Sequence, residues 1–412
     1  MSISLSSRFT IFALPLRNIL RLPAEIRSFA TSSCFRTSKI ASDLQAHNDQ
    51  LAKGKEKKMS GSNLDYTGEQ KKKAPAIPRP SSSVILISPQ NQILLLQRVK
   101  QSSSFPSAHV FPGGNVSEFH DGRAPEPDHP DRHVDGEAYR MAAIRETFEE
   151  SGILLAKNNG FGRLIEVPEK DRENGRVQVH SNQISFPTWL AQKGGRADVE
   201  GLLPFTRWIT PTNVPKRFST QMYIYFLPTL SSTPLGQDAA KSEEEVDIPS
   251  PTTDGGKEHT TARFLPASAW CRLAQEGRII LFPPQFFLLH QIAQHFDGLQ
   301  APTDYGSISR DALSREELER RRKKLVEFVK GGMPPWTEKC ISPSVLPPRD
   351  GKKREDGRNI LGLNRPGPEL EAMKAGRAGV SEQCVLVDFK KEGPRRLAVI
   401  SREEALAGGV KL

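Results

Sequence analysis

The 412 residues carry 58 Lys and Arg against 48 Asp and Glu, a formal net charge of +10, and include 32 prolines and 31 glycines. So many turn-forming residues leave room for an ordered core of about 200 to 250 residues, one main domain with appendages. No run approaches the ~18 apolar residues of a membrane span, so no transmembrane segment is expected; Cys34, Cys271, Cys340 and Cys384 are scattered without a CxxC or CxxH pair, which argues against a zinc module or a disulfide framework.

Residues 1–42 are rich in Ser, Leu, Phe and Arg, with Arg8, Arg17, Arg21, Arg27 and Arg36 against the single acid Glu25. This is the bias of a mitochondrial transit peptide. Residues 27–32 read as a matrix-processing site, with cleavage after Phe29, so the mitochondrial matrix is the expected location. The chain ends Val410-Lys411-Leu412, close to the Ser-Lys-Leu peroxisomal address. Starting at Met59 would remove the presequence and leave that tail to be read, which makes the peroxisome, alone or as well, the alternative. Residues 43–80 form a Lys/Pro-rich linker with Lys53, Lys55, Lys57, Lys58, Lys71, Lys72 and Lys73. With no aromatic residues interleaved for base stacking, they read as a solvated tether, and no nucleic acid is expected.

From Ser81 the patterning becomes ordered. Residues 84–87 and 92–97 are apolar runs around Pro89-Gln90-Asn91, two strands joined by a tight turn. Residues 108–111 make the next strand, ending at Gly113-Gly114, and His109 within it is expected to be structural. Residues 115–135, rich in Pro, His and Asp, read as a surface loop inserted before a helix. Residues 186–194 read as helical and strands follow near 206–209 and 222–227; residues 232–256, low in apolar side chains and holding Glu243, Glu244 and Glu245, read as a mobile loop. A strand at 260–264 and helices at 267–276 and 284–296 complete a mixed pattern, an α/β sandwich with a mixed sheet between helices. Beyond residue 300, Ser314 and Glu317 form a capping box, with Leu313 and Leu318 placed as a staple, and start a helix ending near Gly331-Gly332. Residues 385–389 and 396–400 predict a hairpin around Glu392-Gly393-Pro394. The organisation is thus 1–42, 43–80, a main domain at 81–300 with insertions near 115–135 and 232–256, and an extension of unknown role at 301–412. An oligomer is possible.

The helix expected over residues 137–151 carries the chemistry. Glu146, Glu149 and Glu150 stand at i, i+3 and i+4 and share one face, where they would repel one another without a cation among them. A plain solvated acidic face is one reading. A hard divalent ion held by carboxylate oxygens is the other, favoured by the adjacent Arg145, by Gly152 at the expected helix cap and by the glycine pair upstream.

Glu137, then Arg145-Glu146-Thr147-Phe148-Glu149-Glu150-Ser151-Gly152-Ile153 after seven intervening residues, resembles the second half of the Nudix box. Thr147 stands where that family has an aliphatic residue, and 22 residues separate Gly114 from Glu137 where the pattern has five. An interrupted box after Val110-Phe111-Pro112-Gly113-Gly114, with Trp208-Ile209-Thr210-Pro211, residues 216–220 leading into 222–226, and Phe282-Pro283-Pro284-Gln285, is similar to the nucleoside diphosphate-linked moiety X motif 19 type. Leu94-Leu95-Leu96-Gln97-Arg98 begins a signature of other coenzyme A-hydrolysing relatives, but the arginine and glycine that follow it there are absent here. The resemblance covers about residues 81 to 296.

It implies the Nudix fold and metal-dependent hydrolysis of a pyrophosphate linking a nucleoside diphosphate to a group X, with coenzyme A or acyl-coenzyme A as substrate, giving 3′,5′-ADP and (acyl-)4′-phosphopantetheine. Glu146, Glu149 and Glu150 would hold Mg²⁺ or Mn²⁺, helped by the Gly114 carbonyl. Arg145 would orient the carboxylates, while Gly113, Glu137 and Gly152 would support the motif. Glu150 or Glu258 is the candidate general base. Arg98, Arg217 and Phe218 are candidates for phosphate and adenine contacts, or else strand-edge charges and a core phenylalanine. Two alternatives stand beside this: a Nudix hydrolase of another diphosphate such as NADH or ADP-ribose, and a non-catalytic Nudix-like binding module in a mitochondrial assembly.

Overall fold

The computed structural model describes residues 74–100, 106–158, 163–229, 251–252, 259–296, 313–347 and 354–407, all within one compact unit. The amino-terminal segment, Met59, the acidic run at 243–245, Glu258 and the carboxyl-terminal tripeptide lie outside the described residues.

The strands in chain order are β1 (Arg79–Ile87), β2 (Ile93–Arg98), β3 (His109–Val110), β4 (Gly113–Asn115), β5 (Ala156–Asn158), β6 (Gly195–Ala197), β7 (Leu203–Ile209), β8 (Phe218–Phe226), β9 (His259–Leu265), β10 (Cys340–Ile341), β11 (Ser344–Leu346), β12 (Asn359–Leu363), β13 (Val380–Lys390) and β14 (Gly393–Ser401). Eight of them make one sheet in the order β10-β7-β8-β1-β2-β3, with β4 also beside β1 and β9 beside β2. The β1–β8 and β10–β7 pairs are parallel and the rest antiparallel, the mixed sheet expected. Strand β1 sits at its centre, paired with β8 from Arg79↔Phe218 to Ile87↔Phe226.

Alternation along β1 explains the layers. Ile85 and Ile87 point into one hydrophobic cluster, Val84 and Leu86 into another on the opposite face. A strand covered on both faces reads as an unbroken apolar run. The first cluster receives the helices Ala267–Gln275, Pro283–Phe296 and Arg315–Lys330; the second receives the helices Glu137–Ser151, Glu169–His180 and Phe186–Gln192. The turn between β1 and β2 is built by Ser88, whose Oγ accepts from the backbone N–H of Gln90 (3.2 Å) and Gln92 (3.1 Å), and by Asn91 at φ 59°. Asparagine tolerates that left-handed conformation better than most residues.

The carboxyl-terminal extension is part of the same core. Ser314 caps Arg315–Lys330 by accepting from Glu317 N–H, as the capping box predicts. Strand β10 extends the main sheet, and β11 to β14 form a second sheet that lends Leu361, Val385, Val387 and Leu397 to the first cluster. The expected hairpin is β13–β14, turning at Lys390↔Gly393. No helix among the described residues is long and apolar enough to cross a membrane.

Residues 115–135 differ from the surface loop expected of them. They contain a short helix, Glu118–Asp121, and a 3₁₀ turn, Pro130–His133, and they bury His120, Asp121, Arg132 and His133. Polar composition concealed this because the buried side chains are themselves polar.

Candidate active site

The helix Glu137–Ser151 runs over the sheet with Tyr139, Ala143, Ile144 and Phe148 in the second cluster. Thr147 is fully buried and its hydroxyl donates to the Ala143 carbonyl (2.8 Å), so it satisfies its polar group where the family carries an aliphatic side chain. The helix stops at Gly152, whose φ of 73° is the left-handed cap that glycine adopts without penalty. This packing leaves Arg145, Glu146 and Glu149 together on the face that meets residues 115–121.

Arg145 organises that face. Its Nε and Nη2 donate to the two oxygens of Asp121 at 2.9 and 2.8 Å, a bidentate fork. Nη2 also donates to the Asn115 carbonyl (2.9 Å), while Nη1 reaches Glu149 Oε1 (2.8 Å) and Glu146 Oε1 (2.9 Å). The side chain is 5% exposed and that of Asp121 is fully buried, so these pairs act in a low dielectric. Burial alone would lower the Arg145 pKa; the carboxylates of Glu146, Asp121 and Glu149 outweigh it and raise it. Glu146 shows the reverse balance. Burial, with Glu149 and Asp121 adding to it, outweighs Arg145 and pushes its carboxyl up to about 7.

The glycine pair presses on the same carboxylates. Gly113 N–H donates to Glu150 Oε2 (2.8 Å) from a backbone at φ 155°, and a β-carbon there would lie 2.3 Å from the Ser82 carbonyl oxygen. A β-carbon on Gly114 would lie 2.4 Å from Glu146 Oε1. Gly113 therefore needs glycine to let β4 approach β1, while Gly114 leaves the space that the Glu146 carboxylate occupies.

Two histidines and an arginine complete the surroundings. His180, at the end of Glu169–His180, places Nδ1 3.0 Å from Glu149 Oε2. His259, fully buried at the start of β9, places Nε2 3.7 Å from Glu150 Oε1. Arg176 donates from Nε and Nη2 to the Glu149 carbonyl (3.1 and 2.7 Å), capping the last turn of the glutamate helix.

Whether these residues suit a hard cation follows from their chemistry. Asp121, Glu146, Glu149 and Glu150 are four carboxylates gathered around the single guanidinium of Arg145, and the Glu146 carboxyl is raised first by burial and further by Glu149 and Asp121. Oxygen donors and surplus charge fit Mg²⁺ or Mn²⁺. As the side chains stand, Glu149 is turned onto Arg145 and His180 and Glu150 onto Gly113; no three such groups among the described residues already converge on one point.

The structure brings together Gly113, Gly114, Arg145, Glu146, Glu149, Glu150 and Gly152. Glu137 is exposed in the first turn of the helix. Arg98 pairs in register with His259, at the edge of the same site. Arg217 stands elsewhere. It is 3% exposed and donates to the Thr210 and Ala76 carbonyls and to Glu369 Oε1 (2.5 Å), and Phe218 beside it is half-buried at the head of β8. The sequence reading did not single out Asp121, Arg176, His180 or His259. Only for Asp121 was there a signal, since an arginine destined for burial requires a counter-charge and residues 115–135 supply it.

A glycine loop against a helix of clustered carboxylates, on a mixed sheet between helical layers, defines a Nudix domain. Residues 119–292 match the family model of the NUDT19 Nudix domain, a match that supports a Nudix protein of the NUDT19 type. It is similar to "Putative nudix hydrolase 7" of Caenorhabditis elegans, 31% identical over 217 residues that make up 52% of this chain and 61% of that protein. It is also similar to "Acyl-coenzyme A diphosphatase NUDT19" of Xenopus laevis, 27% identical over 50% of this chain and 60% of that one, and to its Homo sapiens namesake, 26% identical over 49% and 60%. The chain thus spans about 60% of the length of these relatives. Among solved structures, a NUDIX hydrolase from Alicyclobacillus acidocaldarius matches with a TM-score of 0.39 and 21% identity, over 52% of this chain and 89% of that one.

Proposed function

We propose that this protein hydrolyses the pyrophosphate bond of a nucleoside diphosphate linked to another group, with coenzyme A or acyl-coenzyme A as the substrate. The observation that carries the reaction class is Arg145, buried and forked onto Asp121 while holding Glu146 and Glu149. The substrate assignment is supported by the names of the NUDT19 relatives.

In this reading Glu146, Glu149 and Glu150 would hold Mg²⁺ or Mn²⁺, which when bound neutralises phosphate oxygens and acidifies water. Asp121 keeps Arg145 in place, and Arg145 in turn keeps two carboxylates from scattering under mutual repulsion. Gly113 N–H fixes one oxygen of Glu150, and Glu150 accepts the proton of the attacking water. The water attacks one phosphorus in line, the bridging oxygen leaves with the other phosphate, and two phosphate monoesters result. Such a reaction depends on positioning and electrostatics more than on covalent chemistry. Delivery to the mitochondrial matrix belongs to the same proposal, on the basic bias of residues 1–42.

The test is hydrolysis of coenzyme A, acyl-coenzyme A, NADH and ADP-ribose by the purified protein with Mg²⁺ or Mn²⁺, beside Glu149→Gln. Release of 3′,5′-ADP from the coenzyme A compounds alone, lost in the variant, is expected. Turnover of NADH or ADP-ribose instead would replace the substrate, and no turnover of any would sink the hydrolase reading. Imaging a carboxyl-terminally tagged chain beside a Met59-initiated one with its native tail tests the location.

A further inference from the structure

Away from the glutamates, residues 130–133 close over the amino-terminal end of the same helix, and there the charge balance is reversed. His133 Nδ1 lies 2.8 Å from Ser219 Oγ on β8, and the same hydroxyl accepts from Arg207 Nη1 at 3.1 Å. Arg207 is fully buried, with its guanidinium carbon 4.4 Å from the Tyr139 ring centre. Arg377 of the carboxyl-terminal extension donates to the His133 carbonyl. Arg132 and Arg217 are 8% and 3% exposed. Four guanidiniums thus surround one imidazole, and burial together with their charge drives the His133 pKa down to about 3.

Most of the hydrogen bonds they donate go to neutral partners: the carbonyls of Pro125, Val134, Thr210, Ala76 and Glu338, and the Ser219 hydroxyl. Glu369, on Arg217, is the one carboxylate in hydrogen-bonded contact with any of the four among the described residues. Among the described residues three N–H positions, Arg132 Nε, Arg207 Nε and Arg217 Nη2, have no acceptor, and Glu369 Oε2 beside Arg217 has no donor. Buried cations are tolerated when paired, and an unpaired buried charge costs several kcal/mol. Here about three positive charges and three donors lack a partner, a combination that arginine forks satisfy with a tetrahedral oxyanion.

We propose that Arg132, Arg207, Arg217 and Arg377, with Ser219, form a binding site for a phosphate-class anion, built where residues 130–133 and the carboxyl-terminal extension meet the sheet. The phosphate is either the free ion or one carried by a nucleotide. The site does not depend on the hydrolase reading, because it stands on the burial of positive charge outside the glutamate site.

The test is calorimetric titration of the full chain with inorganic phosphate, in chelator and at constant ionic strength made up with chloride. Saturable one-to-one binding is expected. It should weaken roughly tenfold in Arg377→Gln, the weight of one charge-assisted hydrogen bond, and recover in Arg377→Lys. Arg377 is chosen because it is only partly buried, and Ser219→Ala serves as a second variant that removes a hydroxyl without a charge. Displacement of phosphate by 3′,5′-ADP but not by 5′-AMP would identify the phosphate as one carried by a nucleotide, and displacement by neither would identify the free ion. Heats no different from chloride, or unchanged phosphate binding in both Arg377→Gln and Ser219→Ala, would overturn the proposal. Loss of phosphate binding with intact turnover, or the converse, separates this site from the glutamate site.

Discussion

Arg145 and Asp121, separated by 24 residues, meet through two parallel hydrogen bonds at 2.9 and 2.8 Å with both side chains almost fully withdrawn from water. Breaking one partner of a buried pair strands the other charge and typically costs 3–5 kcal/mol. Asp121→Asn keeps the shape and loses the charge. It should destabilise the fold by about 3 kcal/mol and, by releasing Arg145 from the carboxylates, lower kcat about a hundredfold. Denaturant unfolding and turnover with the preferred substrate measure both, and wild-type kcat in this variant would show that the pair is not part of the catalytic arrangement.

Gly114→Ala tests the contact between the glycine loop and the glutamate helix. Its β-carbon would come within 2.4 Å of Glu146 Oε1, so either the loop or the carboxylate must move. The Gly114 side of β4 is half-buried, which leaves room for the loop to shift with modest loss of stability. Activity should therefore fall at least tenfold while the melting midpoint changes by a few degrees. Equal activity would mean that Glu146 can leave its place without consequence.

Much of this arrangement was legible in the sequence, for reasons that also explain the rest. Strands β1 and β2 are continuous apolar runs around a turn residue, and the glutamate helix combines a regular face with a glycine stop; periodicity and caps report these directly. Strand β4 is Gly-Gly-Asn, residues depleted in strands, and it pairs with β1 because the absence of side chains allows close approach. The helix Glu169–His180 is polar and contains Gly175, so its composition offers little apolar period to read. A β-carbon on Gly175 would lie 2.3 Å from the Trp189 ring, so a tertiary contact dictates that glycine. His180 and His259 reach Glu149 and Glu150 only through folding, over 31 and 109 positions, and no local spacing announces such pairs.

His133 gives the protein an acid sensitivity of known sign. Its folded-state value is lowered from about 6.5 to about 3 by burial and by the neighbouring guanidiniums. The unfolded chain therefore binds the proton more readily, and the stability this site contributes is full above about pH 6.5 and drains away as pH falls towards 3. Replacing His133 with Asn removes the titrating group. Stability of the variant measured by urea unfolding between pH 6.5 and 4.5 should fall less steeply than that of the wild type; parallel curves would mean that other groups set the acid limit.

Glu146 predicts the opposite slope in the absence of metal. Its carboxyl is raised from 4.5 to about 7, so the folded state holds the proton more tightly, and the stability it contributes is full below about 4.5 and lost as pH rises through about 7. A divalent cation placed among Glu146, Glu149 and Glu150 supplies the missing positive charge, favours the ionised form and competes with that proton. In chelator, the melting midpoint should therefore fall between pH 6 and 8 in the wild type and vary less in Glu146→Gln, where nothing titrates. Addition of Mn²⁺ should raise the wild-type midpoint, more at pH 8 than at pH 6, and should raise that of Glu146→Gln less. A Mn²⁺ response equal at the two pH values, or equal in the two proteins, would remove Glu146 from the cation site and leave its raised carboxyl as a consequence of burial alone.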